Sequence, residues 1–483
     1  MNIIIISPAG SGSKGDEAMM RGLLSLLPNS NIIVLNPQLR SWQEELLDLA
    51  PCFQELPYSK ERLTTLLLED YAVAVIGADV IDGSSGLSSS ILLLEALEVA
   101  TSMNSLCSVF FSFRSDPEDE ITQRLEKLSQ SSFIHFFPRD QDSEFRFKER
   151  FSNSQTTFFP DLSFYCPLSS ARGISSRLDL VEGHDPSNSS FIALNFSEQS
   201  FRASGTIYTQ SNRRDYIKSI LTPALAAYPQ HKIRLFCNDI RGWEDFLSDY
   251  HYALIAREIL KEIDPTRVAE VLHPATSFTD NIEFLRGADV LITGRMHLSI
   301  AAFRAGVIPV AITGKRVAEI KDEKQRGMLD KARGMFYKCI GNRELVLTNP
   351  DQLWEVIPFS EAQQKSLHEA LKVCTQRNEV DQAKAAERLF TILQSRPQRS
   401  YISHIPPKPQ TGTIRNLLNS KFLIECNLSM AKHEIRQLIN WGLSLDQEIL
   451  VLKQRCEDLA ARLPKKACSA QLQSKNKGCP DNG

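Results

Sequence analysis

Two successive α/β lobes, each Rossmann-like, are the fold class this sequence predicts, and three observations carry that expectation. Short unbroken apolar runs alternate with helical patterns over residues 1–167. A stretch rich in Ser, Gly, Asp and Pro over 168–190 interrupts them. The same rhythm then restarts at Phe191 and continues to residue 394. Strands buried on both faces read as continuous β-branched and aromatic runs, the mark of a parallel sheet covered by helices on both sides.

In order, the apolar run 3–6 predicts a strand, followed by a Gly/Ser loop and a helix over 16–27. Strands are expected at 31–35 and 73–76, the latter leading through a Gly/Asp/Ser loop into a helix over 88–101. Further strands follow at 106–113 and 132–137. In the second lobe, strands are expected at 191–195, 232–237, 269–272, 290–293 and 310–312. Helices are expected there at 215–228, 243–263, 278–286 and 297–305. Two such lobes in succession make a glycosyltransferase-B-like plan with a cleft between them, and ligands of such sheets bind beyond the carboxyl ends of the strands. The segment 395–413 holds Pro397 and the run Pro406-Pro407-Lys408-Pro409, which predicts a stiff linker. A helical extension over 414–463 is expected beyond it, parted near Gly442. Its apolar positions, Ile435, Leu438, Ile439, Ile449, Leu450 and Leu452, offer a face for self-association or a protein partner. The polar tail 464–483 reads as disordered.

The formal net charge of -3 over 483 residues argues against a general polyanion binder, so nucleic acid is not the expected partner. The ten cysteines form no Cys-x-x-Cys pair and no Cys/His cluster of zinc spacing. They read as reduced structural thiols of a cytoplasmic protein. The opening Met1-Asn2-Ile3-Ile4-Ile5-Ile6 has no basic start and runs into Ser7-Pro8-Ala9-Gly10, so it reads as a strand rather than a secretion signal. No stretch approaches the roughly 20 apolar residues of a membrane span.

The segment 287–310 is the most informative chemically. A buried strand ends at Thr293, Gly294 turns the chain, and Arg295 and His297 stand where a helix begins. A helix N-terminus presents free N–H groups and the positive end of a dipole, which favours an anion. Arg295 adds a bidentate fork for phosphate or carboxylate. His297 can hydrogen-bond or move a proton near neutral pH. Lys315, just past the next strand, can face the same cleft as a further cation. The competing reading gives Arg295 to a structural salt bridge and His297 to helix capping.

Between the first strand and helix, Gly12 and Gly15 allow a tight turn and close approach of the backbone to a ligand. Asp16 either caps the helix or accepts a proton from a substrate hydroxyl. The spacing fits neither a dinucleotide fingerprint nor a phosphate-binding P-loop. Asp79 and Asp82 follow a strand at its carboxyl end, where they bind hydroxyls, serve as a general base or shape the turn. Arg114 follows the next strand as a candidate anion ligand. Arg139 and Asp140 pair with each other or with nearby loops. Asn195 ends the second lobe's first strand as a candidate cleft residue, and Asn238 and Asp239 end the following strand in the same way, as cleft residues or caps.

Gly294-Arg295-Met296-His297, the small-residue helix after it, Gly306 and Lys315 resemble the C-terminal motif of the polysaccharide pyruvyl transferase family. Four more segments resemble its other motifs, in order. They are Gly15-Asp16-Glu17-Ala18, Gly77-Ala78-Asp79 through Asp82-Gly83, Pro138-Arg139-Asp140 with Ser143, and Pro160-Asp161-Leu162-Ser163-Phe164. The likeness spans about residues 1–394. Ser13 stands where the family usually has Asn, Ala78 and Asp79 replace a Gly pair, and Thr313-Gly314-Lys315 replaces a more aromatic approach to the Lys.

The resemblance implies a transferase with phosphoenolpyruvate as donor, a sugar diol of a polysaccharide or its precursor as acceptor, and a cyclic ketal as product. It implies no cofactor beyond the donor substrate, and no metal. Within it, His297 is the candidate for donor binding or acid catalysis and Asp16 for acceptor activation. Arg295, Lys315, Gly15, Arg114, Asp79 and Asn195 are the candidates for substrate binding. Two alternatives share the scaffold. A nucleotide-sugar glycosyltransferase expects an acidic residue on a ribose, for which Glu283 and Asp289 are the candidates. A non-catalytic scaffold would act through the helical extension.

Overall fold

The computed structural model describes residues 1–7, 12–37, 41–42, 46, 48–78, 81–83, 87–114, 117–168, 181–182, 190–203, 209–241, 248–267, 269–274, 276–313 and 323–394. The linker, helical extension and tail expected over 395–483 lie outside these residues, as do Asp79 and Lys315.

The first lobe runs β1 (Asn2–Ile6), α1 (Lys14–Leu26), β2 (Asn31–Asn36), β3 (Phe53–Pro57), α2 (Lys60–Leu67), β4 (Ala72–Ala78), α3 (Leu87–Ser102), β5 (Cys107–Phe111), α4 (Asp119–Ser129), β6 (Ile134–Pro138) and α5 (Gln141–Arg150). The strands are parallel in the order β3-β2-β1-β4-β5-β6. Ile3, Ile4, Ile5 and Ile6 of β1 are all fully buried. Ile4 and Ile6 belong to one core cluster and Ile3 and Ile5 to another, because alternate side chains of a central strand face opposite helix layers. A 3-10 turn, Leu162–Tyr165, follows the lobe.

The second lobe runs β7 (Val181–Glu182), β8 (Phe191–Asn195), α6 (Glu198–Ala203), α7 (Gln210–Ala227), β9 (Lys232–Leu235), α8 (Asp249–Ile263), β10 (Ala269–Leu272), α9 (Phe278–Leu285), β11 (Ala288–Thr293), α10 (Met296–Ala305), β12 (Pro309–Ile312), α11 (Glu323–Ile340), β13 (Val346–Leu347), α12 (Leu353–Val356) and α13 (Glu361–Gln394). Its order, β13-β12-β11-β8-β9-β10-β7, repeats that of the first lobe with an antiparallel edge strand β7 added. Both sheets therefore reverse direction beside their own first strand, between β1 and β4 and between β8 and β11. Those switch points are where doubly wound sheets bind ligands. The expected glycosyltransferase-B-like plan of two Rossmann-like lobes is the one observed.

α8 begins at Asp249, not at 243 as expected, and residues 242–247 lie outside the described ones. The 34-residue α13 contributes Leu367, Leu371 and Cys374 to the second lobe's core and Ala385, Leu389 and Leu393 to the first lobe's. At about 1.5 Å per residue it is long enough to serve both. The lobes also meet through backbone. Ser13 and Asp239 form an antiparallel bridge. The N–H of Lys14 donates to Asn238 O and that of Ile240 to Gly12 O, each at 2.8 Å. Buried Glu17 accepts the N–H of Phe278, at the start of α9, at 3.1 Å.

Candidate functional site

β11 delivers the central motif to the second lobe's switch point. Thr293 is fully buried. Its Oγ1 donates to Asn195 Oδ1 on the neighbouring strand and accepts the N–H of Arg295, both at 2.9 Å. The turn at Gly294 lies so close to α6 that a Cβ there would stand 1.9 Å from Ser200 Oγ. Arg295 is the extended N-cap residue of α10, and no side chain caps the helix. The first N–H groups of α10 therefore have no intrahelical acceptor, and with the dipole they make an electropositive end.

The guanidinium of Arg295 is held from behind. Nη2 donates to Asp249 Oδ1 at 2.7 Å and Nε to Oδ2 at 3.2 Å. Nη1 donates to Gln199 Oε1 at 3.1 Å and lies 3.8 Å from Asp239 Oδ2. Asp249 is fully buried and also accepts Asn195 Nδ2 at 3.0 Å and the backbone N–H groups of Asn238 and Asp239 at 3.1 Å. Burial pushes its carboxyl above the ordinary value, and Arg295 works against that. The salt-bridge reading of Arg295 thus holds for Nε and Nη2, while Nη1 is engaged by Gln199 with Asp239 nearby.

His297, on α10 of the second lobe, packs against the first lobe. A Cβ on Gly15 would sit 2.3 Å from His297 Nδ1, so glycine is what lets the two lobes close on this ring. Nε2 is buried and lies 3.6 Å from Asp161 Oδ2, an ion-pair distance too long for a direct hydrogen bond. Asp161 accepts Arg139 Nη1 at 2.9 Å, the N–H of Ser163 at 3.0 Å and Ser163 Oγ at 2.6 Å. Burial alone would raise its carboxyl, but Arg139, His297 and these donors hold it far below the usual carboxylate range. Asp161 is therefore a fixed anion behind the imidazole.

Asp16 does not cap α1. Ser13 does, its Oγ accepting the N–H of Asp16 at 3.3 Å, which leaves the carboxylate for other partners. Arg241 Nη1 stands 3.6 Å from Asp16 Oδ2. Burial raises the Asp16 carboxyl above its ordinary value, opposed by Arg241 and His297. Asp16 and His297 belong to different lobes, and Gly15, the residue before Asp16, lies against the His297 ring. A carboxyl raised by burial beside an imidazole braced by an anion is a pair able to take a proton at one point and give one at another.

Other expectations are corrected. Asn195 is 2% exposed, and its amide group is fully engaged, donating to Phe236 O and Asp249 Oδ2 and accepting from Thr293. It positions the Arg295–Asp249 pair and does not line the cleft. Arg114 is 4% exposed. Its backbone N–H donates to Asp82 Oδ2 at 2.7 Å, so Asp82 ties two strand-end loops together. Arg139 and Asp140 do not pair with each other. Arg139 binds Ser112 and Asp161, and Asp140 caps α5 by accepting the N–H of Ser143 at 2.8 Å. Asp289 pairs with His231 at 2.6 Å and Glu283 with Arg286 at 3.0 Å.

Three contributors escaped the sequence reading: Asp249, Arg241, and Asp161 as the partner of His297. The strand-end rule that selected Asn238 and Asp239 also covers Arg241, two residues further on. No such signal exists for Asp249, which opens a helix. Among the described residues no group of three His, Cys, Asp or Glu side chains is placed to hold a metal ion, and no helix is long and apolar enough to cross a membrane.

No curated protein matches the chain in sequence. In structure it is similar to the protein HepE of Anabaena in complex with UDP-glucose, at 12% identity and a TM-score of 0.49, over 81% of this chain and 100% of that one. It is also similar to a glycosyltransferase from Rickettsia africae, at 10% identity and a TM-score of 0.47, over 82% and 99%. A UDP-N-acetylglucosamine 2-epimerase from Listeria monocytogenes matches at 12% identity and a TM-score of 0.46, over 82% and 96%. The family model for polysaccharide pyruvyl transferase matches residues 14–315, a span that opens at α1 beside Ser13 and closes at Lys315, with the braced Arg295 and His297 inside it. The chain belongs to the polysaccharide pyruvyl transferase family.

Proposed function

We propose that this protein transfers the pyruvyl group of phosphoenolpyruvate to a sugar diol of a polysaccharide or its precursor, forming a cyclic ketal. The observation that supports this reading is that Gly15, next to Asp16 at the start of the family's span, lies directly against the imidazole of His297 near its end.

The donor carries a phosphate and a carboxylate, so it calls for several positive groups. The uncapped start of α10 and the charge of Arg295 supply part of that need, and Lys315, outside the described residues, is the proposed further cation. His297, braced by Asp161, gives a proton to the methylene carbon of the enol as the neighbouring carbon becomes cationic. Asp16 takes the proton of the attacking sugar hydroxyl. The second hydroxyl then attacks the same carbon as the C–O bond to phosphate breaks; its proton passes to His297, which gave one up at the first step, and phosphate leaves as the ketal closes. Asp16 and His297 have the complementary environments that such a sequence of proton transfers needs.

The test uses phosphoenolpyruvate isotopically labelled at its enol carbon, with a panel of lipid-linked and nucleotide-linked sugars, followed by carbon NMR. The reading expects a quaternary ketal carbon bonded to two sugar oxygens, appearing together with free phosphate. Label that remains in phosphoenolpyruvate, or emerges as free pyruvate with every acceptor, would overturn it.

A further inference from the structure

Five side chains form an alternating row of charge across the lobe boundary. Asp16 Oδ2 lies 3.6 Å from Arg241 Nη1. Arg241 Nη2 lies 2.8 Å from Asp239 Oδ2. Asp239 Oδ2 lies 3.8 Å from Arg295 Nη1, and Arg295 Nη2 lies 2.7 Å from Asp249 Oδ1. The row thus runs from the candidate acceptor base to the candidate donor cation.

We propose that Arg241 is a positioning residue for Asp16, holding its carboxylate charged and aligned in the cleft and linking it to the Arg295 end of the site. The inference rests on the reading that Asp16 receives the acceptor's proton.

Two features of the backbone argue that the Asp16–Arg241 spacing is built in. The loop carrying Arg241 is stitched to the loop before α1 by the Ser13–Asp239 bridge and by the hydrogen bonds of Lys14 and Ile240. The Arg241 fork is itself oriented from one side, since Asp239 accepts its Nε at 3.0 Å, its Nη2 at 2.8 Å and its backbone N–H at 3.0 Å. That grip turns Nη1 toward Asp16.

The charged groups acting on Asp16 are Arg241 and Asp239 from the β9 loop and His297 from α10, while Ser13 hydrogen-bonds to it from its own helix start. Lys14 and Glu17 on α1 are turned to each other, at 3.6 Å. Arg241 is the strongest of the groups that offset burial at Asp16. Without it Asp16 would be left buried with Asp239 as a like charge, so it would hold its proton to higher pH and a smaller fraction of it would be charged and free to accept a proton at a given pH.

The decisive experiment follows the Asp16 carboxyl by carbon-detected NMR through a pH titration of the full chain without substrate, with Asp16→Asn to assign the signal. In Arg241→Gln the midpoint is expected to rise by about one pH unit or more, as for a carboxylate losing a cation within reach. Arg241→Lys restores a charge without the fork and is expected to fall between the two. An unmoved midpoint in both variants, each checked for native circular dichroism, would overturn the inference. Should Arg241→Gln fail to fold, Arg241→Lys decides alone, by whether its midpoint departs from that of the unaltered chain.

The acid limb of the kcat/KM profile should move by the same amount as the midpoint, with the donor's KM little changed. A limb that stays fixed while the midpoint moves would also sink the proposal. The two readings separate cleanly. A shifted midpoint in a chain that transfers no pyruvyl group removes the proposed reaction and leaves Arg241's hold on Asp16 intact. An active chain whose midpoint does not shift removes Arg241 from the account and leaves the reaction.

Discussion

Replacing Gly15 by Ala sets two known effects against each other. Gly15 lies in the first turn of α1, just after the Ser13 cap and Lys14. On helix propensity alone Ala there should stabilise by up to about 1 kcal/mol. Its Cβ, however, would lie 2.3 Å from His297 Nδ1, 2.7 Å from Cγ and 2.9 Å from Cε1. Regaining an ordinary contact of about 3.4 Å means the ring must retreat by about 1.1 Å. Behind the ring is Asp161, fixed by Arg139 and Ser163, so the imidazole has to swing rather than slide. Overpacking of this kind costs about 1–3 kcal/mol, so the net loss of stability should be small, roughly 0–2 kcal/mol after the propensity gain. A displacement near 1 Å of a catalytic group costs on the order of 100-fold in rate. The expected signature of Gly15→Ala is therefore a nearly unchanged melting temperature with kcat/KM down about 100-fold. The assay is acceptor-dependent phosphate release beside differential scanning fluorimetry. In a His297→Ala background the same substitution should do almost nothing further, because the atoms it strikes are gone. A Gly15→Ala enzyme within threefold (roughly) of normal activity would refute the reasoning, as would full additivity with His297→Ala.

Other predictions concern the braces and the titrations. Asp249→Asn removes one partner of a buried ion pair and should cost about 3–5 kcal/mol in urea unfolding, with a larger loss of donor affinity than Asn195→Ala. Asp161→Asn should be destabilising by a similar roughly 3–5 kcal/mol near neutral pH. Because the folded Asp161 carboxyl sits below its unfolded value of about 3.9, its contribution is complete above that pH and is lost as pH falls. The difference between Asp161→Asn and the unaltered chain should therefore shrink in acid, and a gap that grows on acidification would contradict the pairing. Asp16 has the opposite sign, since its folded carboxyl is raised. The acid limb of kcat/KM should lie above the ordinary aspartate value and vanish in Asp16→Asn, and an acid limb kept by that variant would remove Asp16 from the base's role.

The sheets were legible because their central strands are unbroken apolar runs, as in Ile3 to Ile6 and Phe191 to Asn195, and no amphipathic ambiguity arises in a strand buried on both faces. β3 was not, because Gln54 and Glu55 stand in it and only Phe53 and Leu56 are buried, as suits an edge strand. The Arg295–His297 element could be found because the strand, glycine and helix start are contiguous. Its supports could not. Asp249 meets Arg295 from 46 residues away, and nothing local to either residue records that contact. Asn195 was misjudged for a related reason. The strand-end rule gives a residue's place at the switch point but is silent on whether neighbours already satisfy its amide. For Asp16 the sequence allows cap or base, and the hydroxyl of Ser13 takes the cap.

The most direct measurement is phosphate release from phosphoenolpyruvate by the full chain, with and without sugar acceptors, beside Arg295→Ala and Asp16→Asn. The account predicts release that requires both chain and acceptor, that is lost in Arg295→Ala together with donor binding by calorimetry, and that is lost in Asp16→Asn while donor binding persists. Release at equal rates in all three proteins, or no release and no donor binding by the unaltered chain with any acceptor, would contradict it.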